Sequence, residues 1–460
     1  MRAIPLLALL ALAPLARADD SAEAARRILE AALADEDGFR KLESLCDGVG
    51  HRLSGSAGLE RAVEWTLATL RADGQENVRA EKVMVPKWVR GAESLELVEP
   101  FAESLPLLGL GGSVGTGPEG IAAEVVVARD EAALEALGEA AAGKIVLFTE
   151  PMPPYDPVTG HGYGKAVRFR IHGARLAAAR GAVACLIRSV TARSLRTPHT
   201  GVMSYGDAAR RIPAAAITIE DAERIERLTA AGRRVVVRLT MGARDEGLVP
   251  SANVVAELVG RERPDEFVVI GGHLDSWDVG QGAQDDGGGC VMAIQAIALL
   301  RRLDLVPRRT IRVVLWTNEE NGGAGAKQYV KDHEAELARH VAAIESDNGT
   351  FAPLGFHVDC EDDAAERRTI ERLAELLAPL GAIGAIRAEA GSSEADVAPM
   401  RPRGVPTLGL WVDTSHYFDF HHTPADTFDK VDRESFRRCL ATMAVAAYSI
   451  AESPGRLDRD

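Results

Sequence analysis

The sequence predicts an α/β protein built on a doubly wound mixed sheet, interrupted by a second, smaller α/β unit. Three observations carry this. From Val249 onward short apolar runs alternate with helical stretches, the pattern of a sheet with helices on both faces. Between about residues 95 and 244 the texture changes to short Val/Ile runs separated by alanine-rich helical segments. At 460 residues the chain exceeds one ordinary core, so two units plus appendages are expected.

Taken in order, Arg2 precedes an apolar run over 4–15 that ends in Ala16-Arg17-Ala18, the pattern of an export signal with its cleavage site. Residues 1–18 are therefore expected to be removed, leaving a periplasmic or secreted chain from about Asp19. The run is too short to span a bilayer, and no later stretch is long and apolar enough. Residues 21–45 and 56–71 have helical periodicity, separated by a Gly/Ser loop, DGVGHRLSGS, suited to capping the second helix. His51 in that loop reads as structural or solvated rather than as a ligand.

Residues 78–89 alternate as a strand, and the inserted unit follows, with strands expected at 123–127, 144–148, 182–187, 214–219 and 234–239 and helices at 168–180 and 221–231. Its His161, His172 and His199 have no ligand spacing; they read as solvated surface in preference to the alternative, loop histidines near a substrate cleft. In the main part, strands are expected at 267–272, 310–317, 341–345, 355–360 and 405–411. Helices are expected at 287–303, up to about 339, at 364–380 and at 432–452. Residues 19–94 and 246–460 thus form one unit around an insertion at 95–245.

A formal net charge of −15 and the lack of a Lys/Arg block argue against nucleic acid as a partner. Five cysteines without tight spacing give neither a disulfide framework nor a CxxC zinc site. The odd count leaves at least one thiol free or paired between chains, and Cys290 reads as a small buried hydrophobe.

Open α/β sheets form their sites beyond the carboxyl ends of the strands. His273, Glu319-Glu320 and Asp347 each follow an apolar run directly, and His421-His422 follows the 405–411 run through a longer loop. The stretch 271–289, GGHLDSWDVGQGAQDDGGG, presents His273 and Asp275 in alternation and then Asp285 and Asp286 in a Gly-rich loop. Alone, it reads equally well as a capped turn. With the other groups it makes a His/Asp/Glu set sufficient for two metal ions. If Asp285 bridges, His273 and Asp347 complete one ion and Glu320 with one of His421 and His422 completes the other, each ion keeping an open position. That is the catalytic pattern, in which a bridging water loses a proton near neutral pH. Glu319 is placed to act as its base, and Asp275 to accept the second imidazole N–H of His273.

Four strings, GGHLDSWDVGQGAQDDGGG, WTNEENGGAGA, ESDNG and FDFHHTPADT, resemble the dizinc exopeptidase family of bacterial leucyl aminopeptidases and glutamate carboxypeptidases. The first is most similar to the plasma glutamate carboxypeptidase branch. The resemblance implies a zinc exopeptidase sheet, two Zn²⁺ per chain on His273, Asp285, Glu320, Asp347 and His422, and Glu319 as general base. His422 is chosen over His421 by the family's H-T-x-x-D pattern, here His422 to Asp426, which makes His421 a supporting residue. It further implies that 95–245 is a protease-associated insertion over the active site, that 47–56 is the amino-terminal signature, and that the Asp285–Asp286 bond is cis. It makes Asp396, in the loop GSSEADVAPM, a pocket residue. His416 and Tyr417 are candidates for stabilising the oxyanion by position alone.

The expected activity is zinc-dependent hydrolysis of the peptide bond of dipeptides or short peptides with free termini, with homodimerisation carried from the branch. The alternatives are an aminopeptidase acting on longer peptides, a glutaminyl cyclase-like acyltransferase using one zinc, and a receptor-like module that has lost its ligands.

Overall fold

The computed structural model describes residues 18–459, so the export signal read at residues 1–18 lies, but for Ala18, outside the described residues. Helices α1 (Ala18–Leu33), α2 (Asp37–Gly48) and α3 (Ala57–Ala72) lead into strand β1 (Glu76–Val89). The helical periodicity over 21–45 is split in two, and the N–H of Gly38 in α2 donates to the buried carboxylate of Asp35 at the break. Ser56 caps α3 by accepting from the Leu59 N–H.

The inserted unit contains strands β2 (Glu93–Glu99), β3 (Glu103–Leu105), β4 (Leu107–Gly109) and β5 (Ile121–Ala128), then α4 (Glu131–Leu137), β6 (Ile145–Phe148), α5 (Tyr163–Ala166) and α6 (Arg168–Ala179). It ends with β7 (Ala184–Arg188), β8 (Ala214–Ile217), α7 (Ile219–Ala230) and β9 (Val236–Met241). These strands form their own mixed sheet in the order β3-β2-β9-β5-β6-β7-β8-β4. Side chains alternate across it, Val146 and Phe148 facing α6 while Ile145 and Leu147 face α7.

The chain returns through β10 (Arg244–Leu258), β11 (Arg263–His273), α8 (Gly288–Arg302), β12 (Arg309–Trp316), α9 (Ala324–Asp332), β13 (His340–Glu345) and β14 (Pro353–Asp359). After these come α10 (Asp363–Leu376), β15 (Arg387–Ala390), β16 (Thr407–Val412), α11 (Tyr417–Phe420) and α12 (Arg433–Glu452). The main sheet runs β1-β10-β12-β11-β13-β16-β14-β15. Its centre, β12, β11, β13 and β16, is parallel, while β1, β10 and β14 pair antiparallel to their inner neighbours. Parallel strands covered on both faces read as continuous apolar runs, and every residue of β12 and β13 is buried. Val268 and Ile270 pack with α8 and α12, whereas Val269 packs with Tyr329 and Val330 of α9.

Val89 pairs with Arg244, so the insertion leaves and re-enters the main sheet side by side. β10 begins at Arg244 rather than near Val249, because its charged first residues pair with the end of β1 on an exposed ribbon where no apolar signal is required. The two units also meet at Trp277, whose ring lies so close to Gly111 that a Cβ there would sit 2.0 Å from it. Among the described residues no helix is long and apolar enough to cross a membrane. All five cysteines are buried and free, and the Cys290 thiol donates to the His273 carbonyl at 3.0 Å.

Candidate metal centre

The four central parallel strands all point their carboxyl ends the same way, and the acids and imidazoles converge there. His273 is the last residue of β11. Its Nδ1 lies 3.0 Å from the Asp275 carbonyl, so that nitrogen carries a donor proton and Nε2 is the one turned to the acids. That Nε2 is 3.2 Å from Asp285 Oδ1 and 3.1 Å from Asp347 Oδ1. On the other side, His422 Nδ1 is 3.3 Å from the Thr200 carbonyl, and its Nε2 is 3.3 Å from Asp285 Oδ2 and 3.1 Å from Glu320 Oε2. Asp285 thus offers one oxygen to each group.

These separations are those of ligand atoms around an ion. Four donors about 2.0–2.1 Å from a tetrahedral Zn²⁺ stand about 3.3 Å from one another. Asp285 Oδ2 is buried without a hydrogen-bond partner, as a ligand oxygen awaiting a cation would be. Burial, together with neighbouring carboxylates, pushes Glu319, Glu320 and Asp347 above the ordinary carboxylate range. Burial pulls His273 down, but the Asp347 charge and the Asp285 hydrogen bond outweigh it and hold the imidazole well above its usual value. The cluster is short of positive charge, and the residues present fit a dication.

Supporting contacts fix these groups. Asp286 accepts the His273 N–H at 3.1 Å and the Gly289 N–H at 3.0 Å, and a Cβ on Gly272 would lie 2.1 Å from its carboxylate. The Asp285–Asp286 bond is cis. Asp426 receives the N–H groups of Ala283, Gln284 and Asp285 at 2.7 to 3.1 Å. Glu320 Oε1 accepts the Trp277 N–H at 3.1 Å, which leaves Oε2 toward His422. Asn318 and His422 hold positive φ, 68° and 61°, an uncommon conformation for non-glycine residues that is met at functional sites.

Several placements differ from the sequence reading. The Asp275 carboxylate lies 3.9 Å from His273 Nδ1 and instead accepts the N–H groups of Glu319 at 3.1 Å and Glu320 at 3.4 Å. Its backbone carbonyl orients the imidazole, while its side chain holds the Glu319-Glu320 turn. Asp396 is buried beside Glu345 and its N–H donates to that carboxylate at 2.9 Å, whereas Ser392 and Glu394 of the same loop face the cavity. His416 points outward from its turn to Asp419 at 2.9 Å, so of the two oxyanion candidates only Tyr417 lines the cavity. His421 also lines it, stacked on His422 at 3.5 Å between ring centres and 3.8 Å from Asp285 Oδ2. His161 and His199 are not solvated surface: His161 lines the cavity against Phe418, and His199 is buried beside Thr200. The segment after β16, with Phe418, His421 and His422, packs over them.

The sequence reading missed Arg52, Ser54 and Thr200. Arg52 is fully buried and donates to the carbonyls of Leu274, Gln281 and Gly282, bracing the loop before Asp285. Ser54 Oγ donates to Asp275 at 3.2 Å. Their only signal was membership of the DGVGHRLSGS loop. The cavity measures about 720 Å³ and is lined by Tyr155, His161, Tyr163 and Arg170 of the insertion, by Glu394 and Trp411, and by Asp285, Glu319, Glu320, Asp347 and His422 of the cluster.

A parallel-centred α/β sheet whose strand ends gather this donor set defines a hydrolase of the metallo-exopeptidase class. Residues 253–447 match the model of peptidase family M28. The chain is 42% identical to carboxypeptidase Q of Bos taurus over 426 residues, covering 93% of this chain and 88% of that one. It is 40% identical to the Homo sapiens carboxypeptidase Q over the same shares. A solved structure of a peptidase M28 precursor from Shewanella amazonensis superposes with a TM-score of 0.89 at 36% identity, covering 95% and 98% of the two chains. A zinc aminopeptidase from Bacillus subtilis shares the fold, with a TM-score of 0.66 at 20% identity over 92% and 96% of the chains. The chain belongs to peptidase family M28.

Proposed function

We propose that this protein is a two-zinc exopeptidase that hydrolyses the peptide bond of dipeptides or short peptides with free termini. The observation that carries this is the Asp285 carboxylate, which turns Oδ1 to His273 and Oδ2 to His422 at 3.2 and 3.3 Å. His273, Asp285 and Asp347 would hold one ion; Asp285, Glu320 and His422 would hold the other. Zinc bound there supplies Lewis acidity, polarising a carbonyl oxygen and lowering the pKa of water.

The chain's own residues do the rest. Glu319, half-buried on the cavity wall, takes a proton from the attacking water and returns it to the amine nitrogen of the departing residue. Asp275 fixes that carboxylate's backbone through the Glu319 and Glu320 N–H groups. Thr200 and the Asp275 carbonyl hold the two imidazoles in the tautomer that leaves each Nε2 free. The cavity of about 720 Å³ matches a short peptide. Residues 95–245 act as a protease-associated insertion that restricts access, and the chain is exported after removal of residues 1–18, acting outside the cytoplasm as a homodimer.

Chelation followed by zinc add-back, with metal analysis, tests the core of the proposal. Activity lost with the metal and restored at two zinc ions per chain is expected; full activity with fewer than two ions would overturn it. Profiling dipeptides against long and amino-terminally blocked peptides tests the substrate class, and rapid trimming of long peptides would replace it with an aminopeptidase.

A further inference from the structure

Six carboxylates line the cavity, and five of them are accounted for. Asp285, Glu319, Glu320 and Asp347 belong to the candidate metal centre, and Glu389 is paired with Arg387 at 2.8 Å. The sixth is Glu394, half-buried in the loop after β15. Its Oε1 accepts from Asn348 Nδ2 at 2.7 Å and lies over β16, where a Cβ on Gly409 would sit 2.9 Å from it. Among the described residues only Asn348 donates to this carboxylate, which leaves Oε2 free, and no cation is near enough to act on it. Burial and then the Asp347 charge push it up to about 8, and the Asn348 hydrogen bond offsets only part of that. Glu394 also holds a φ of 71°, a conformation uncommon outside glycine that is met at ligand-binding sites. A carboxylate enclosed without a counter-charge is unfavourable unless a ligand supplies one.

We propose that Glu394 binds a positively charged side chain of the substrate, so that the enzyme selects short peptides containing lysine or arginine. Position separates this cation from the other one a peptide carries, its α-ammonium. Covalent dimensions put the α-nitrogen about 2.5 Å from the carbon under attack, hence against Asp347 and Glu319. Glu394 stands one step further out, bonded to the residue after Asp347 and lying above Gly409, two residues along β16 from Trp411. A lysine ammonium, about 6 Å from its own Cα at the end of a four-carbon stem, reaches that far. There Oε2 accepts a charge-assisted hydrogen bond from it. The net charge of −15 also favours the approach of basic peptides. This inference rests on the peptidase reading above and adds to it the class of side chain that the site selects.

The test uses the zinc-loaded full chain, wild type, Glu394→Gln and Glu394→Gly. The first substitution removes the charge and keeps an acceptor for Asn348; the second suits the positive φ. The substrates are lysyl-alanine and alanyl-lysine, each set against its norleucine counterpart, which has the same four-carbon stem and no ammonium. Each protein is read by its ratio of kcat/KM on the lysine peptide to that on the norleucine peptide, which the folded fraction does not alter. For at least one of the two positions the wild-type ratio is expected to be about 10- to 100-fold, collapsing toward unity in both variants. A wild type indifferent to lysine at both positions, or variants that lose lysine and norleucine peptides in proportion, would overturn the assignment. Hexanoyl-alanine, which lacks the α-amine, covers the other source of positive charge. If Glu394→Gln equalises norleucyl-alanine and hexanoyl-alanine while leaving the lysine ratios alone, the cation is the α-ammonium and the side-chain assignment falls. Should no peptide be cleaved, the peptidase reading fails by itself, and calorimetric titration of Glu319→Gln and Glu319→Gln/Glu394→Gln with the same peptides still decides Glu394. Tighter binding of a lysine peptide than of its norleucine counterpart, lost with the Glu394 charge, is expected; no such difference would overturn the proposal.

Discussion

The two halves of the candidate metal centre are built differently. His273 closes β11, Asp347 follows β13 by two residues, and these strands are hydrogen-bonded neighbours, so one half is set by the register of the parallel sheet itself. Glu320 sits four residues past β12, and His422 hangs on the loop beyond α11 with a φ of 61°. That half is held by contacts from elsewhere: Trp277 on Glu320, and Thr200 of the insertion on both the ring and the backbone carbonyl of His422. Thr200 is in turn bonded to Arg90, which pairs with Asp278. A half-site made of strand ends is pre-organised once the sheet forms. The other half also requires the insertion to dock.

The largest effect is expected where the halves join. Asp285→Ala should reduce bound zinc from two per chain to one or none and leave no measurable turnover; retention of two ions would separate the halves altogether. Next, Glu319→Gln should lower kcat by about 10²- to 10⁴-fold with both ions retained, since it removes proton transfer and no ligand. Near-normal turnover would take Glu319 out of the base role. Arg90→Ala sharpens the comparison itself: loosening Thr200 should weaken one zinc by about 10- to 100-fold while the other keeps its affinity. Equal weakening in a zinc titration would show that the halves are not independent. The smallest effect is expected from Ser54→Ala, which removes one hydrogen bond to Asp275 worth about 1 kcal/mol and should cost about fivefold in kcat. A change in zinc content instead would place Asp275 with the ions and not with the base.

Legibility in the sequence followed the same division. β11, β12 and β13 are buried on both faces and therefore read as plain apolar runs, and His273, Glu319, Glu320 and Asp347 stand beside them. The short strands β2, β3 and β15 escaped because part of their residues are exposed, with charged residues breaking the apolar pattern, and β4 escaped because its three residues, Leu107–Gly109, are too few to show an alternation. The Asp275 carboxylate was assigned to the imidazole because strand alternation puts both on one side, yet alternation does not say which N–H groups arrive from the next strand's loop. Asp396 and Glu394 lie two residues apart in one loop, and only packing decides which faces the cavity.

By itself the sequence determined the alternating architecture, the inserted unit and an acid-and-imidazole set at successive strand ends, because burial and strand periodicity are local properties of the chain. Only the tertiary structure decided that Thr200 rather than a carboxylate fixes the His422 tautomer, that Arg52 and Ser54 brace the site, that His161 and His199 are enclosed, and that Glu394 faces the cavity without a cation. The contacts of Thr200 to His422 and of Ser54 to Asp275 span 222 and 221 residues of chain. The first exists because the insertion packs on the main unit, the second because the loop before α3 folds against the end of β11, and no local pattern encodes either meeting.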